Sequence, residues 1–435
     1  MESKHVMLFK ISMKKRKVVS VVLLAAMIGV MGLTGCGDTG STDSGASGTG
    51  NHGSVSLPKE IDGKTIKVIG YDGWEQEHGE IRQKLKEWYN ATVEYTVVNS
   101  AELENKLSLE LVANNTYDFA PVGQSTMLRD LCIPITQYVD QDDPIFASTK
   151  SIMDTFVLDG ELYAMSSIPH MEIVIYNKTL LDNLGYETPL EMYNRGEWTF
   201  DNMKKLVVDL SKEKTPEGEK LVPLSAWDYT GFLVANGTDL VTNSGVKDFK
   251  LNFEDAKVRE SLNFLREIAY VNKGFEFWQG WSQANFQLGT IAMVIDRFGN
   301  KTHFVSDLYF DWDFVPWPTG PSANENVAPG TIGTFGVPKG SKNPSGGAAY
   351  GYLFMKQDFE KRKEYLQGYL TNEQVERFES LYPKISTTWS TNCGIQKIDE
   401  LFWEIGKGTD VTKVLEQFKP KWQSDIDTYK ASLKR

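Results

Sequence analysis

Basic residues, histidine and cysteine are all scarce in this chain, and each shortage removes a class of function. Lys and Arg number 46 against 58 Asp and Glu, a formal net charge of −12. Without a basic footprint for a phosphate backbone, nucleic acid is not expected as a partner. Only five His and three Cys occur, and none is spaced as metal ligands are. There is no Gly-x-Ser-x-Gly, no His-Glu-x-x-His and no phosphate loop. "DQDDP" at 140–144 lacks the central Gly and closing Glu of a calcium loop and reads as a solvated turn. No cofactor, no metal and no catalytic residue are expected, and the chain reads as a binder rather than an enzyme. Long apolar runs are missing too: the stretch from Val18 to Met31 is too short to span a bilayer comfortably as a helix.

That stretch follows Lys14, Lys15, Arg16 and Lys17 and precedes small residues, the order of a secretory signal. Leu33-Thr34-Gly35-Cys36 resembles the lipobox of bacterial lipoproteins, which implies that Cys36 becomes the acylated mature N-terminus after 1–35 are removed. Residues 37–56, almost all Gly, Ser, Thr, Asp, Asn and Ala, cannot offset their ordering entropy by burial, so 36–56 read as a lipidated Cys and flexible tether. Gly48, Gly50 and Gly53 match a dinucleotide fingerprint by spacing alone, with neither strand nor helix around them. Cys132 and Cys393 are distant in sequence and read either as buried thiols or as a disulfide.

About 380 residues follow the tether, more than one core usually holds, so two lobes are expected. "KTIKVIGYD", "GEIRQKLKEWY", "ATVEYTVV", "SAELENKLSLELVANN" and "YDFAPVG" read as β-α-β-α-β, with Ser100 capping the second helix. Further on, "MEIVIYN", "GTIAMVID" and "WDFVPWP" read as strands. Helices are expected over "KTLLDNLGY", closed by Gly185, over "WTFDNMKKLVVDLSKE", capped by Thr199, and over 253–270 and 358–380. The fold class is α/β, with mostly parallel sheets flanked by helices and ligands at the carboxyl ends of strands.

Five segments in order carry a family resemblance. "DGELYAMSS" with "IVIYNKTLLDNLGYETP", "EWTFDNMKKLV", "FQLGTIAMVIDRFG", "FVPWPTGP" and "IGKGTDVTKVLEQF" are similar to the corresponding stretches of the sugar-binding, extracellular solute-binding proteins of bacterial ABC transporters. The resemblance implies a two-lobe, type II periplasmic-binding-protein-like fold with the ligand in the interlobe cleft. It implies an N-terminal lobe of 57–168 plus 315–360 and a C-terminal lobe of 169–314 plus 361–435. Chain crossings are placed near Ser167–Met171, Asp311–Pro316 and 357–372. It further implies a monomer, lipid-anchored on the outer face of the cell membrane, that passes a sugar to ABC permease subunits. A secreted carbohydrate hydrolase and a ligand-sensing partner of a membrane receptor are the alternatives.

Sugars offer C–H faces and hydroxyls, so their sites combine flat aromatics with acidic, amide and Arg side chains. Tyr71, Asp72 and Trp74 follow the first strand, and Gln124 and Ser125 follow "YDFAPVG", where the family carries ligand contacts. Trp74 reads equally as a lid over its helix. Trp227 and Asp228 fall where the family brings an aromatic from the second lobe, and the polar residues around Trp227 favour contact with ligand. Asp296 and Arg297 end a strand and serve either ligand or a hinge ion pair. His170 and Glu172 flank the first crossing. Trp278 and Trp281 have a helical spacing that suits core or ligand, and Trp389 with Asn392 lies in a loop near the cleft of the family.

Overall fold

The computed structural model describes residues 56–434, apart from 168–169, 245–246, 279, 281, 299–303, 332, 387 and 389–392. Cys36, the signal segment and the tether up to residue 55, together with Trp281, Trp389 and Asn392, lie outside the described residues.

Strand β1 (Thr65–Gly70) buries Ile66 and everything from Val68 to Gly70, and helix α1 (Gly79–Tyr89) buries Ile81, Leu85 and Tyr89 against it. Strand β2 (Thr92–Val97) returns parallel to β1. Helix α2 (Leu103–Val112) is preceded by a 3₁₀ turn whose cap is Asn99, not Ser100: the Asn99 side chain accepts from the Ala101 N–H. Then come β3 (Ala120–Pro121), which touches β1 through the Val68–Phe119 bridge, α3 (Gln124–Leu128), β4 (Cys132–Ile133) and β5 (Met165–Ser166).

A second, larger sheet begins with β6 (His170–Asn177), buried along almost its whole length. The Asn177 side chain caps α4 (Lys178–Leu184), and Gly185, at φ 75°, closes that helix as expected. Thr199 caps α5 (Phe200–Leu210) by accepting from the Asn202 N–H. Strand β7 (Val222–Ala226), α6 (Ala256–Arg266), β8 (Phe275–Phe277), α7 (Ser282–Gln287), β9 (Ile291–Phe298), β10 (Trp312–Val315) and β11 (Ala328–Thr331) follow. The helix expected over 253–270 is α6 plus a π turn at Glu267–Val271. Strands β8, β7 and β9 are parallel neighbours; β6 runs antiparallel to β9 on one side and to β10 and β11 on the other.

Strand β12 (Thr334–Pro338) then pairs antiparallel with β3, β4 and β5, so the chain has returned to the first sheet. The expected crossing at Asp311–Pro316 is therefore corrected. Strand β10 stays in the larger sheet beside β6, and the change of sheet comes between Thr331 and Thr334. It runs next to the first crossing, since the Ser167 N–H donates to the Gly333 carbonyl at 2.9 Å.

Helix α8 (Pro344–Tyr369) starts well before the expected 358. Its first half buries Ala348, Tyr350 and Leu353 in the core of the smaller sheet, Leu366 lies in a core of the larger one, and Phe359 packs against both. Thr371 caps α9 (Asn372–Glu379) in a reciprocal box with Gln374. The short β13 (Ile385–Ser386), α10 (Ile398–Gly406) and α11 (Val411–Ser432) complete the chain. Cys132 and Cys393 are both buried, and no disulfide joins them.

Candidate functional site

Glycine at the end of β1 decides where the first wall stands. A Cβ on Gly70 would lie 2.1 Å from the Trp74 ring, so the indole rests directly on the backbone there. His78, Phe335 and Phe354 surround it at ring-centroid separations of 5.4, 5.7 and 5.4 Å, and Tyr71 meets it edge-on at 5.4 Å. Beneath them, His78 Nδ1 and the Tyr350 hydroxyl are 2.6 Å apart. Trp74 is thus both a lid on the smaller sheet's core and part of a surface.

That surface lines a cleft of about 1270 Å³. Of the residues expected from sequence, Tyr71, Trp74, Ser125 and His170 line it, whereas Asp72, Gln124, Trp227, Asp228, Trp278, Asp296 and Arg297 do not. Gln124 instead reaches the Thr155 carbonyl at 3.5 Å. Ser125 is committed: its hydroxyl, with that of Thr126, donates to the Glu104 carboxylate, which also holds Arg129 at 2.9 Å. Sequence reasoning missed the Glu104–Arg129 pair. It also missed the face of α8 that presents Phe354, Asp358, Lys361 and Tyr365. Their helical spacing was the available signal, hidden because the start of the helix was not recognised.

The strand ends of the larger sheet build a second group. Trp227 directly follows β7, anchored by its N–H to the Ile295 carbonyl at 2.9 Å, and is 44% exposed. Trp278, just after β8, meets it edge-to-face at 5.1 Å. The Arg297 guanidinium lies 5.8 Å from the centre of the Trp227 ring, and its Nε is 3.4 Å from Glu172 Oε1 on the neighbouring strand. Glu172 shares a face of β6 with His170, two residues back, which lines the cleft. Asp296 and Arg297 were expected to serve either ligand or a hinge ion pair. Strand alternation sends them to opposite faces, and Asp296 turns instead to the Gln283 amide at 2.6 Å. Asp228 accepts from the Thr230 N–H and hydroxyl at 2.8 and 2.7 Å.

Electrostatically this group is frustrated. Burial, and then the charge of Asp228, hold the Glu172 carboxyl well above the usual range, with Arg297 only partly opposing them. Burial likewise raises Asp296. Because the folded state holds the Glu172 proton more tightly than the unfolded chain, this contribution to stability is present at low pH. It is lost as pH rises from the ordinary carboxylate value through the raised one. Among the described residues no group of three or more His, Cys, Asp or Glu could hold a metal ion.

A family model for bacterial extracellular solute-binding proteins matches residues 80–362. No curated protein sequence matches the chain. Among solved structures, the sugar-binding protein MalE from Xanthomonas citri is 16% identical, with a TM-score of 0.64 over 84% of this chain and 97% of its own. The ABC substrate-binding protein Lmo0181 from Listeria monocytogenes, in complex with cycloalternan, is 17% identical, with a TM-score of 0.61 over 85% and 99%. UgpB from Mycobacterium tuberculosis, in complex with glycerophosphocholine, is 16% identical, with a TM-score of 0.61 over 84% and 99%. At such identities these neighbours establish the fold, the two-lobe type II architecture of periplasmic binding proteins. The family model spans β-strands of both sheets and much of the cleft that they frame, and with it the chain belongs to the bacterial extracellular solute-binding proteins.

Proposed function

We propose that this protein is the membrane-anchored, extracellular capture component of an ABC importer, holding a mono- or oligosaccharide between two lobes and delivering it to the permease. The observation that carries the proposal is the presence of an accessible indole beside each sheet, Trp74 on the cleft wall and Trp227 half-exposed at the ends of the larger sheet. Both are flanked by fixed polar groups, the combination that suits a sugar ring. The lobes are taken as 57–167 with 334–358 and 170–331 with 360–434, following the pairing of the strands. MalE is a sugar-binding protein by name and Lmo0181 is in complex with cycloalternan, whereas UgpB is in complex with glycerophosphocholine. The ligand must therefore be chosen on this chain's own walls. Four carboxylates, Glu77, Glu104, Asp358 and Glu364, line the cleft against two basic side chains, Arg129 and Lys361, and this acidic excess disfavours a phosphodiester.

The full chain in detergent, screened by thermal melting against mono- and oligosaccharides, tests the proposal. A bound saccharide at about one hundred times its Kd should add about 2.7 kcal/mol of stability. No rise in melting temperature with any saccharide at millimolar concentration would overturn it.

Anchoring rests on the basic start, the apolar run and the sequence Leu33-Thr34-Gly35-Cys36. Among the described residues no helix is long and apolar enough to cross a membrane. In this reading the lipid on Cys36 holds the protein in place. Fatty-acid labelling should disappear in Cys36→Ser, and its persistence would refute the anchor.

A further inference from the structure

We propose that Gln357, on the face of α8 that borders the cleft, is a specificity-determining residue: its amide oxygen takes the hydrogen of a hydroxyl on the edge of a pyranose ring lying against Trp74. The inference rests on the saccharide reading and names a residue and a ligand group within it.

Helix α8 turns Phe354, Gln357, Asp358 and Lys361 to one side, at the spacing of a single helical face, and all four line the cleft with Trp74 and Glu77. Two of them converge on one atom. The Gln357 Nε2 donates to the Glu77 carbonyl at 3.0 Å, and the Lys361 Nζ donates to the same oxygen at 3.5 Å. Glu77 ends the short helical turn Trp74–Glu77, so these bonds tie α8 to the segment that carries the indole. The Phe354 ring strengthens the tie by packing on Trp74 at 5.4 Å.

These contacts settle which way the amide points. Reversing it would set its oxygen against the Glu77 carbonyl, two acceptors with no hydrogen between them. Glu77 therefore holds the nitrogen, and Oε1 is the atom left over. Oε1 is buried with no hydrogen-bond partner, on a residue that is 7% exposed and borders the cleft. Buried acceptors are nearly always satisfied, and one that is not costs stability. On the wall of a binding cleft that cost is relieved when a ligand brings the missing donor.

The neighbours restrict what brings it. Trp74 and Phe354 present aromatic rings that suit the C–H groups of a sugar. Asp358, the next residue, adds a carboxylate, and Lys361, one turn on, an ammonium. A sugar hydroxyl gives one hydrogen and accepts through its lone pairs, so it can serve Oε1 and an ammonium donor together. A carboxylate or an ether oxygen brings no hydrogen and would meet Oε1 lone pair to lone pair. Selection at this point is for a free hydroxyl.

The test is calorimetric titration of the full chain in detergent with maltotriose, cellotriose and mannotriose, comparing the parent with Gln357→Met. Methionine keeps an unbranched, flexible side chain and removes the amide. A trimer that binds the parent should bind the variant at least about tenfold more weakly, the least that a site built to bond a hydroxyl loses without that bond. Removing hydroxyls one at a time from that trimer should cost the parent at least about tenfold at one position and cost the variant almost nothing there. The unliganded variant should melt at or above the parent temperature, because the unpaired acceptor is gone while Lys361 still serves the Glu77 carbonyl. A merely structural Gln357 gives the opposite, a lower melting temperature with affinity falling in step. That outcome, equal affinity of parent and variant, or additive losses from substitution and deoxygenation would overturn the role of Gln357 and leave saccharide capture intact. No binding by any of the three trimers would overturn the saccharide reading and this assignment with it.

Discussion

Gly347→Val is expected to abolish folding of the protein, by closing the gap between α8 and the smaller sheet. A Cβ at this position would lie 1.7 Å from the Asp118 carbonyl oxygen. The backbone there cannot retreat cheaply. The Asp118 side chain accepts from the Lys67 N–H at 2.9 Å, the Ser341 hydroxyl at 2.6 Å and the Asn343 N–H at 3.0 Å, which ties β1 to the start of α8. Either α8 lifts off its core or this network breaks, a loss above about 4 kcal/mol and comparable with the whole stability of many domains. Denaturant unfolding monitored by circular dichroism measures it. A cooperative transition within about 1 kcal/mol of the parent would show that the close approach is not required.

Trp227→Ala should weaken saccharide binding by about 1–3 kcal/mol while leaving the melting temperature of the unliganded protein nearly unchanged. The ring is 44% exposed and is held by Arg297 and Trp278 rather than embedded in a core. Trp74→Ala should behave differently. Removing a ring that sits on Gly70 between Phe335 and Phe354 leaves a void, so stability and affinity fall together. Calorimetry with the bound saccharide, paired with melting of the unliganded variants, separates the two. Unchanged affinity in Trp227→Ala, or a much lower melting temperature, would place that residue in the core and move the site elsewhere.

Elements whose ends are set by local chemistry were legible in the sequence. The Thr199 cap, the Gly185 stop and the buried strand at 170–177 need only neighbours in the chain, and the structure has all three. The start of α8 was not legible, because "GGAAYGY" has the composition of a loop. Gly347 and Gly351 are there for close approach: a Cβ on Gly351 would meet Met165 at 2.3 Å. The second change of sheet was misplaced for a related reason. "FVPWPTGP" has the apolar, proline-punctuated look of a connector, but its first residues complete the larger sheet. The true passage, "TIGTFG", has no hydrophobic period to betray it. Tyr71 and Trp74 could be placed on the cleft because strand ends are where such clefts form. The contributions of α8 and the Glu104–Arg129 pair depend on how distant elements dock, and local pattern does not encode that.

The two passages between the sheets lie side by side, with β5 against β12, β6 against β11, and Ser167 bonded to Gly333 between them. Such a ribbon resists stretching and sliding but yields to torsion, because twisting spreads a small change over many dihedrals without breaking its rungs. Helix α8, whose 26 residues make a rod of roughly 39 Å, runs alongside as a strut that does not twist. A pliant ribbon beside a stiff rod leaves the sheets essentially one soft coordinate, a rotation. If a captured solute closes the cleft, as proposed, little conformational entropy would be at stake, and occupancy would be converted into a single angle that could be read at the far faces of the molecule.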